Sequence, residues 1–509
     1  MELKSLGYIL FAAIIFFAYF SVYKIKNAQK IVLLLANISF ICVAADFRSF
    51  IIITILICFS YFMGLLIERQ INEAGHKNTA RALMYLDVVF SIAVLCYFKF
   101  FKDTFGVIQD LLLHHGITVS SLIVPIGISY YSLSMIAYAI DIYHKKHPAE
   151  KNFIDYFVFI TYFPSIIQGP VNLYKKVGPQ IKESHAPNAE RIIMGLQRSL
   201  WGYVKKVVVA DRIGILVGGI LKDEASEGIL LLWAMVLYSF QIYTDFSGGI
   251  DIIMGISEVL GIELTENFKA PLLSKSVTEY WQRWHMSLGV FMEKYIYYPL
   301  VLNRKVMHYS KKIPNSYLQK VFSATLASVV VFVIVGIWHG TGWNYVVYGC
   351  YQAVFVSSAV LLGPVYKKMK AFVRIPDDSI SWEIFQIIRT FVILVIGRYF
   401  IRAKDLSQAV GLFYRTFYKF KWSGIHVLFD DSLLSYGLDY KNVYLMYFCI
   451  LLIILVDILH NRGVHFRTIL MKQDICFRYF VYFVAIFAII IFGIYGTEFS
   501  SASFIYQEF

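Results

Sequence analysis

Tyr280-Trp281-Gln282-Arg283-Trp284-His285-Met286-Ser287-Leu288, continuing to Tyr297-Tyr298-Pro299-Leu300, is too charged and aromatic to cross a bilayer, yet apolar segments of membrane length flank it on both sides. Read as one helix, it puts Trp281, His285 and Leu288 on a shared face at i, i+4, i+7 spacing. The same reading lets Glu279 pair with Arg283 at i, i+4. Fifty-four residues beyond His285, Ile337-Trp338-His339-Gly340-Thr341-Gly342-Trp343-Asn344 closes an otherwise apolar helix. Ionisable groups at membrane depth are costly, so each of these two histidines is a candidate functional residue.

The rest of the chain explains that setting. Of 509 residues, 58% are hydrophobic and only 16% charged, against roughly 25% charged in a soluble domain. Apolar runs of spanning length recur throughout, which makes this an all-α polytopic membrane protein. The net charge of +13 comes from Lys and Arg in short connections between apolar runs. That distribution fits membrane orientation and contact with anionic lipid, and argues against nucleic acid as a partner. The six cysteines form no CxxC pairs and imply no disulfide framework.

Apolar segments lie at about 7–23, 31–46, 49–67, 83–100 and 121–140. The connections after the first, third and fifth are basic, which places the N-terminus outside the membrane. A single basic residue, Lys4, precedes the first run and no small-residue cleavage site follows it, so that run is expected to remain as a span. Phe153 to Phe163 is too short to cross and is expected to be re-entrant. Long apolar helices are predicted at about 192–221 and 228–261, a polar aromatic block at 264–320, and further spans at about 321–338, 343–363, 383–401, 444–459 and 479–496. No 20–50-residue repeat is visible.

His339 sits where an apolar helix meets a Gly-Thr-Gly turn, and a neutral imidazole there can take a proton from a hydroxyl. The alternative is a histidine bonded to a neighbouring helix. His285, among tryptophans and tyrosines, is either a second site residue or part of an aromatic belt at the membrane interface. Asp245 and Asp251 lie within an apolar segment and need donors; Arg283 or another basic residue is a candidate partner, and a structural role or a proton relay would follow. No metal-binding His-Glu-x-x-His, no GxSxG elbow and no GxxxxGK[ST] loop occurs. The sequence therefore points to no metal site and no esterase, kinase or ATPase centre.

Taken together, several motifs resemble the membrane-bound O-acyltransferase family. They are Pro125-Ile126-Gly127-Ile128-Ser129-Tyr130-Tyr131, Gln168-Gly169-Pro170, Gly202-Tyr203-Val204-Lys205-Lys206 through Ala210-Asp211-Arg212, Asp245-Phe246-Ser247-Gly248, Glu266-Asn267-Phe268 with Pro271, Arg283-Trp284-His285, Trp338-His339-Gly340 and Arg402-Ala403-Lys404. The resemblance is to the bacterial branch that contains alginate O-acetyltransferase and teichoic-acid D-alanyl transferase. It implies one integral-membrane domain over 1–509, with N-terminal spans at 1–152, a catalytic core at 153–363, and C-terminal spans and tail at 364–509. About eleven transmembrane helices are expected, with re-entrant and interfacial helices around a funnel.

His339 matches the family's essential histidine and His285 its second active-site histidine, while Asp245, Arg283 and Trp338 belong to the core motif. The ending Phe504-Ile505-Tyr506 is similar to the branch's aromatic tail, whose tyrosine is proposed to carry the acyl group. Gln507 stands where phenylalanine is common, and the competing role for the tail is an anchor at the membrane interface. A departure lies at Val301-Leu302-Asn303-Arg304, where the branch commonly has Gly-Gly-Asn-Arg. The basic residues from Arg304 to Lys320 are expected to face the cytoplasm.

The implied activity is transfer of an acyl group, acetyl by preference, to an exported or cell-wall polysaccharide in a bacterial cell membrane. The donor would be a cytoplasmic thioester, either acyl-coenzyme A or an acyl carrier protein, with no tightly bound cofactor. A separate extracellular esterase-like transferase would complete delivery. D-alanyl transfer to teichoic acid is the alternative within the family, and a proton-coupled transporter or flippase the alternative outside it.

Overall fold

The computed structural model describes residues 3–45, 47–73, 76–114, 125–376, 379–428 and 430–495. Among them the chain is helical, with one isolated antiparallel bridge between Phe268 and Trp284. Among the described residues seven helices are long and apolar enough to cross a membrane, or eight if Trp343–Leu361 and Gly363–Val373, bent by 67°, form one span. This is fewer than the eleven or so spans expected, and helix length explains the difference. Leu6–Ser21, Ala28–Ala44 and Ile128–Tyr143 have 16, 17 and 16 residues, about 24–26 Å of helix against a hydrocarbon core of about 30 Å. The expected helix over 192–221 is interrupted: Ala189–Tyr203 passes into a π-helical stretch, Val204–Ala210, and then Asp211–Lys222. Phe153–Thr161 has nine residues and is too short to cross, as read from the sequence.

Two compact units can be distinguished, and the long Ile229–Leu260 helix supplies residues to both. The first comprises residues 1–202 and 249–265. Its interior is largely apolar, and several of the polar groups in it are paired. Lys30 meets Asp155 at 2.6 Å, Arg198 meets Asp251 at 2.9 Å, and the Asn37 amide donates to Val158 O and Thr161 Oγ1. Gly127 has φ +74°, and a Cβ there would collide with the carbonyl of Ile166, so the turn before Ile128–Tyr143 requires glycine.

The second unit comprises the described residues of 203–248 and 266–495. Its centre is an antiparallel hairpin of Ser316–His339 and Trp343–Leu361. Gly336 and Gly349 let these helices approach until a Cβ on either would stand 2.5 Å from a carbonyl of the other. Ile380–Arg402, Tyr440–Asn461 and Ile475–Phe492 are further helices of spanning length in it. The Asn344 amide donates to the carbonyls of Phe400 and Ala403, both at 3.0 Å, tying the hairpin's turn to the end of Ile380–Arg402.

The block at 277–301 is not one helix. Val277–Arg283 ends, Trp284 and His285 leave helical geometry, and Met286–Met292 begins anew. His285 takes φ +48°, ψ 52°, a left-handed conformation costly for a residue with a Cβ. The i, i+4, i+7 face drawn through Trp281, His285 and Leu288 is therefore broken, although Glu279 and Arg283 do pair, at 2.6 Å.

Candidate active site

The break at Trp284–His285 is held from several directions within the second unit. Lys269 N donates to Arg283 O and Met286 N to Asn267 O, both at 3.0 Å, so residues 267–269 lie alongside the break. The Asn267 side chain, fully buried, accepts from Ser287 N at 2.9 Å and lies 3.3 Å from His285 Nδ1. An amide oxygen can only accept, so the Nδ1 contact requires Nδ1–H. The His285 lone pair then resides on Nε2.

Aromatic rings close around this histidine. Phe246 meets its ring edge-on at 4.9 Å and 89°, and Phe246, Phe268 and Tyr280 pack on Trp284. Beneath them Arg398, 1% exposed, donates to Tyr280 Oη at 2.9 Å and places its guanidinium 5.6 Å from the Trp284 ring. A guanidinium buried against aromatic faces is held there by cation–π and hydrogen-bond contact. His285 is 1% exposed, and burial lowers its pKa from 6.5 to about 3. It is a neutral imidazole at physiological pH.

His339 ends its helix, 3% exposed, with Gly340 extended beyond it. Trp338 connects the two histidines. Its ring centroid lies 5.1 Å from that of His339 and 6.1 Å from that of His285. Two imidazoles distant in sequence thus share one tryptophan. The central block is fixed to the hairpin by Trp281, whose indole N–H donates to Gln352 Oε1 at 3.2 Å and whose ring meets Phe332.

Asp245 does not pair with Arg283. It meets Lys206 Nζ at 2.5 Å, and Lys206 also meets Asp211 at 2.9 Å, in a buried triad beside Lys205, which donates to Ser247. The π-helical turn carries both adjacent lysines inward, where they are 5% and 1% exposed. Asp251 has Arg198, and Arg283 has Glu279 and Asn461. Helix register is the physical reason: Lys206 and Asp245 face each other across packed helices, while Arg283 points along its own short helix to a residue four positions earlier. Asp245 still supports the block indirectly, because the next residue, Phe246, is the ring packed on His285. Tyr506 lies outside the described residues. Among the described residues no cluster of three or more His, Cys, Asp or Glu could hold a metal ion.

Sequence reasoning missed Asn267 and Arg398 as supports of His285. Arg398 carried a signal, since it is an arginine within a predicted span. Asn267 lay inside a quoted motif but had no distinguishing property of its own.

A family model described as MBOAT, membrane-bound O-acyltransferase family, matches residues 119–401. The chain belongs to that family. Both histidines, Trp338 and Asn267 fall inside the matched region. The chain is 30% identical over 356 residues to a Pseudomonas aeruginosa protein named "Probable alginate O-acetylase AlgI", a match covering 69% of this chain and 62% of that one. It is 27% identical to the peptidoglycan O-acetyltransferase of Helicobacter pylori, over 70% of this chain and 67% of that protein. To the teichoic acid D-alanyltransferase of Bacillus subtilis it is 26% identical, over 49% of this chain and 61% of the other. The match to the first of these relatives thus spans less than two thirds of that protein's length.

Proposed function

We propose that this membrane-bound O-acyltransferase family member moves an acyl group, acetyl by preference, from a thioester donor toward hydroxyls of an exported or cell-wall polysaccharide in a bacterial cell membrane. The observation that carries the reading is the convergence of His285 and His339 on Trp338 within a buried site. His339 takes the proton from the attacking hydroxyl. The oxygen bonds to the thioester carbonyl carbon, the C–S bond breaks, and the imidazolium returns the proton to the departing thiolate. General-base help of this kind contributes ~10²–10⁴ in rate. His285, neutral and with its lone pair on Nε2, accepts a hydrogen bond and orients the acceptor.

Acetyl is favoured over D-alanyl because the O-acetylation relatives match about 70% of the chain and the D-alanyl relative 49%. The donor is acyl-coenzyme A or an acyl carrier protein, and a separate extracellular transferase receives the group. The test is thioester consumption by purified protein supplied in turn with acetyl-coenzyme A, an acetylated carrier and a D-alanylated carrier. The expected result is acetyl-dependent thiol release that His339→Ala lowers at least ~100-fold in a folded protein. Absence of thiol release with every donor would return the chain to a transport reading. Preference for the D-alanylated carrier would replace acetyl.

A further inference from the structure

Away from His339, the hairpin of Ser316–His339 and Trp343–Leu361 carries an apolar groove of about 450 Å³, lined by Thr325, Val329, Cys350, Val354, Ser358 and Leu361 among others. Tyr317 Oη donates to the Val360 carbonyl, so the start of the first helix and the end of the second are fastened together here. Immediately after Leu362 the chain turns by 67° into the Gly363–Val373 helix.

That helix is amphipathic. Val365, Tyr366, Met369, Phe372 and Val373 recur at i, i+1, i+4, i+7, i+8, and all are exposed, Phe372 by 89%. Lys367 lies on the opposite arc and Lys368 on the flank of the apolar face. An apolar face this bare belongs at the headgroup–acyl boundary of a bilayer, with its lysines toward the headgroups. The same end of the hairpin carries Lys320 and, leading into it, Arg304, Lys305, Lys311 and Lys312. Segments 304–320 and 363–376 contain no Asp or Glu; the acids Asp377 and Asp378 follow outside the described residues.

We propose that groove and helix together form a binding site for an anionic phospholipid. One acyl chain lies along Val329, Val354 and Leu361, and the headgroup phosphate is held by Lys367 and Lys368, with Lys320 at the groove's mouth. Apolar lining alone would accept any lipid or a second copy of the chain. The acid-free cationic collar selects the negative headgroup. The site is independent of acyl transfer, since none of its residues belongs to the site around Trp338.

Native mass spectrometry tests this on the full-length protein equilibrated in detergent with equal palmitoyl-oleoyl phosphatidylglycerol and phosphatidylcholine. Phosphatidylglycerol should be retained in excess. Each lysine at a membrane surface is worth about fivefold toward an anionic lipid, so Lys367→Gln with Lys368→Gln should lower its retention more than tenfold and leave phosphatidylcholine unchanged. Val354→Trp, which fills the groove from an exposed position, should reduce retention of both. Equal retention of the two lipids, or indifference to the double lysine change, would overturn the proposal. So would a dimer that Val354→Trp dissociates, because the groove's occupant would then be a second copy.

Discussion

Truncating Asn267 to alanine should disable His285 without touching it. The Asn267 oxygen holds two donors, Ser287 N–H at 2.9 Å and His285 Nδ1–H at 3.3 Å, in a fully buried position. Each such bond contributes about 1 kcal/mol net, and each buried donor left alone costs about 1–3 kcal/mol. The left-handed backbone at His285 adds about 1–2 kcal/mol of strain, which these bonds oppose. Two stranded donors at the lower of these figures, with the strain released, favour relaxation of the 284–286 segment by roughly 3–4 kcal/mol, which would lower the population of correctly oriented His285 by ~100- to ~1000-fold. Acyl-transfer rates of Asn267→Ala should fall within that range, with a thermal unfolding shift of the same sign. Asn267→Asp keeps an acceptor for both donors and should recover most of the rate. Its carboxylate would also raise the His285 pKa and move the acid limb of the pH–rate profile upward. If Asn267→Ala transfers within about threefold of the parent, and the aspartate variant leaves the pH profile where it was, Asn267 does not position His285.

Acid should destabilise the protein through His285. Its pKa is 6.5 unfolded and about 3 folded, so below pH 6.5 the unfolded state binds a proton that the folded state refuses. Stability contributed above pH 6.5 is then lost by about 1.4 kcal/mol per pH unit as the pH falls toward 3. His285→Asn should flatten that acid dependence in thermal melts taken between pH 7 and 4, and should impair transfer less severely than His339→Ala. Lys206→Met removes the ammonium shared by the carboxylates of Asp211 and Asp245, 7% and 3% exposed, and should cost about 3–5 kcal/mol; adding Asp245→Asn should recover part of it in denaturation experiments. Tyr506→Phe keeps the ring and removes the oxygen, so a tail that relays the acyl group would lose polymer acylation, read by ester content, whereas an anchoring tail would keep the normal rate.

The sequence by itself determined the class of the protein and its family resemblance, and it singled out His285 and His339 as candidates. Those follow from local properties: runs of apolar residues long enough for a bilayer, ionisable residues interrupting them, and motifs contiguous in the chain. It also found the Glu279–Arg283 pair, because four residues along a helix is a local distance. What it could not supply was the partner of Asp245, because Lys206 is 39 positions away and reaches it only through the packing of separate helices around a π-helical turn.

The same limit applies to the central block. Periodicity drew one helix through Trp281, His285 and Leu288, but the bridge from Phe268 to Trp284 and the Asn267 side chain break it at His285. A left-handed residue is affordable only where tertiary contacts hold it, and those contacts come from a segment outside the helix itself. The lengths of the helices behind the apolar runs were hidden for a related reason. Hydropathy registers apolar residues whether they face lipid or protein, and the short Ile128–Tyr143 helix is apolar because nearly all of it is buried in protein. Only the tertiary structure decided that His285 and His339 share Trp338, since the distance between two helices depends on what packs between them.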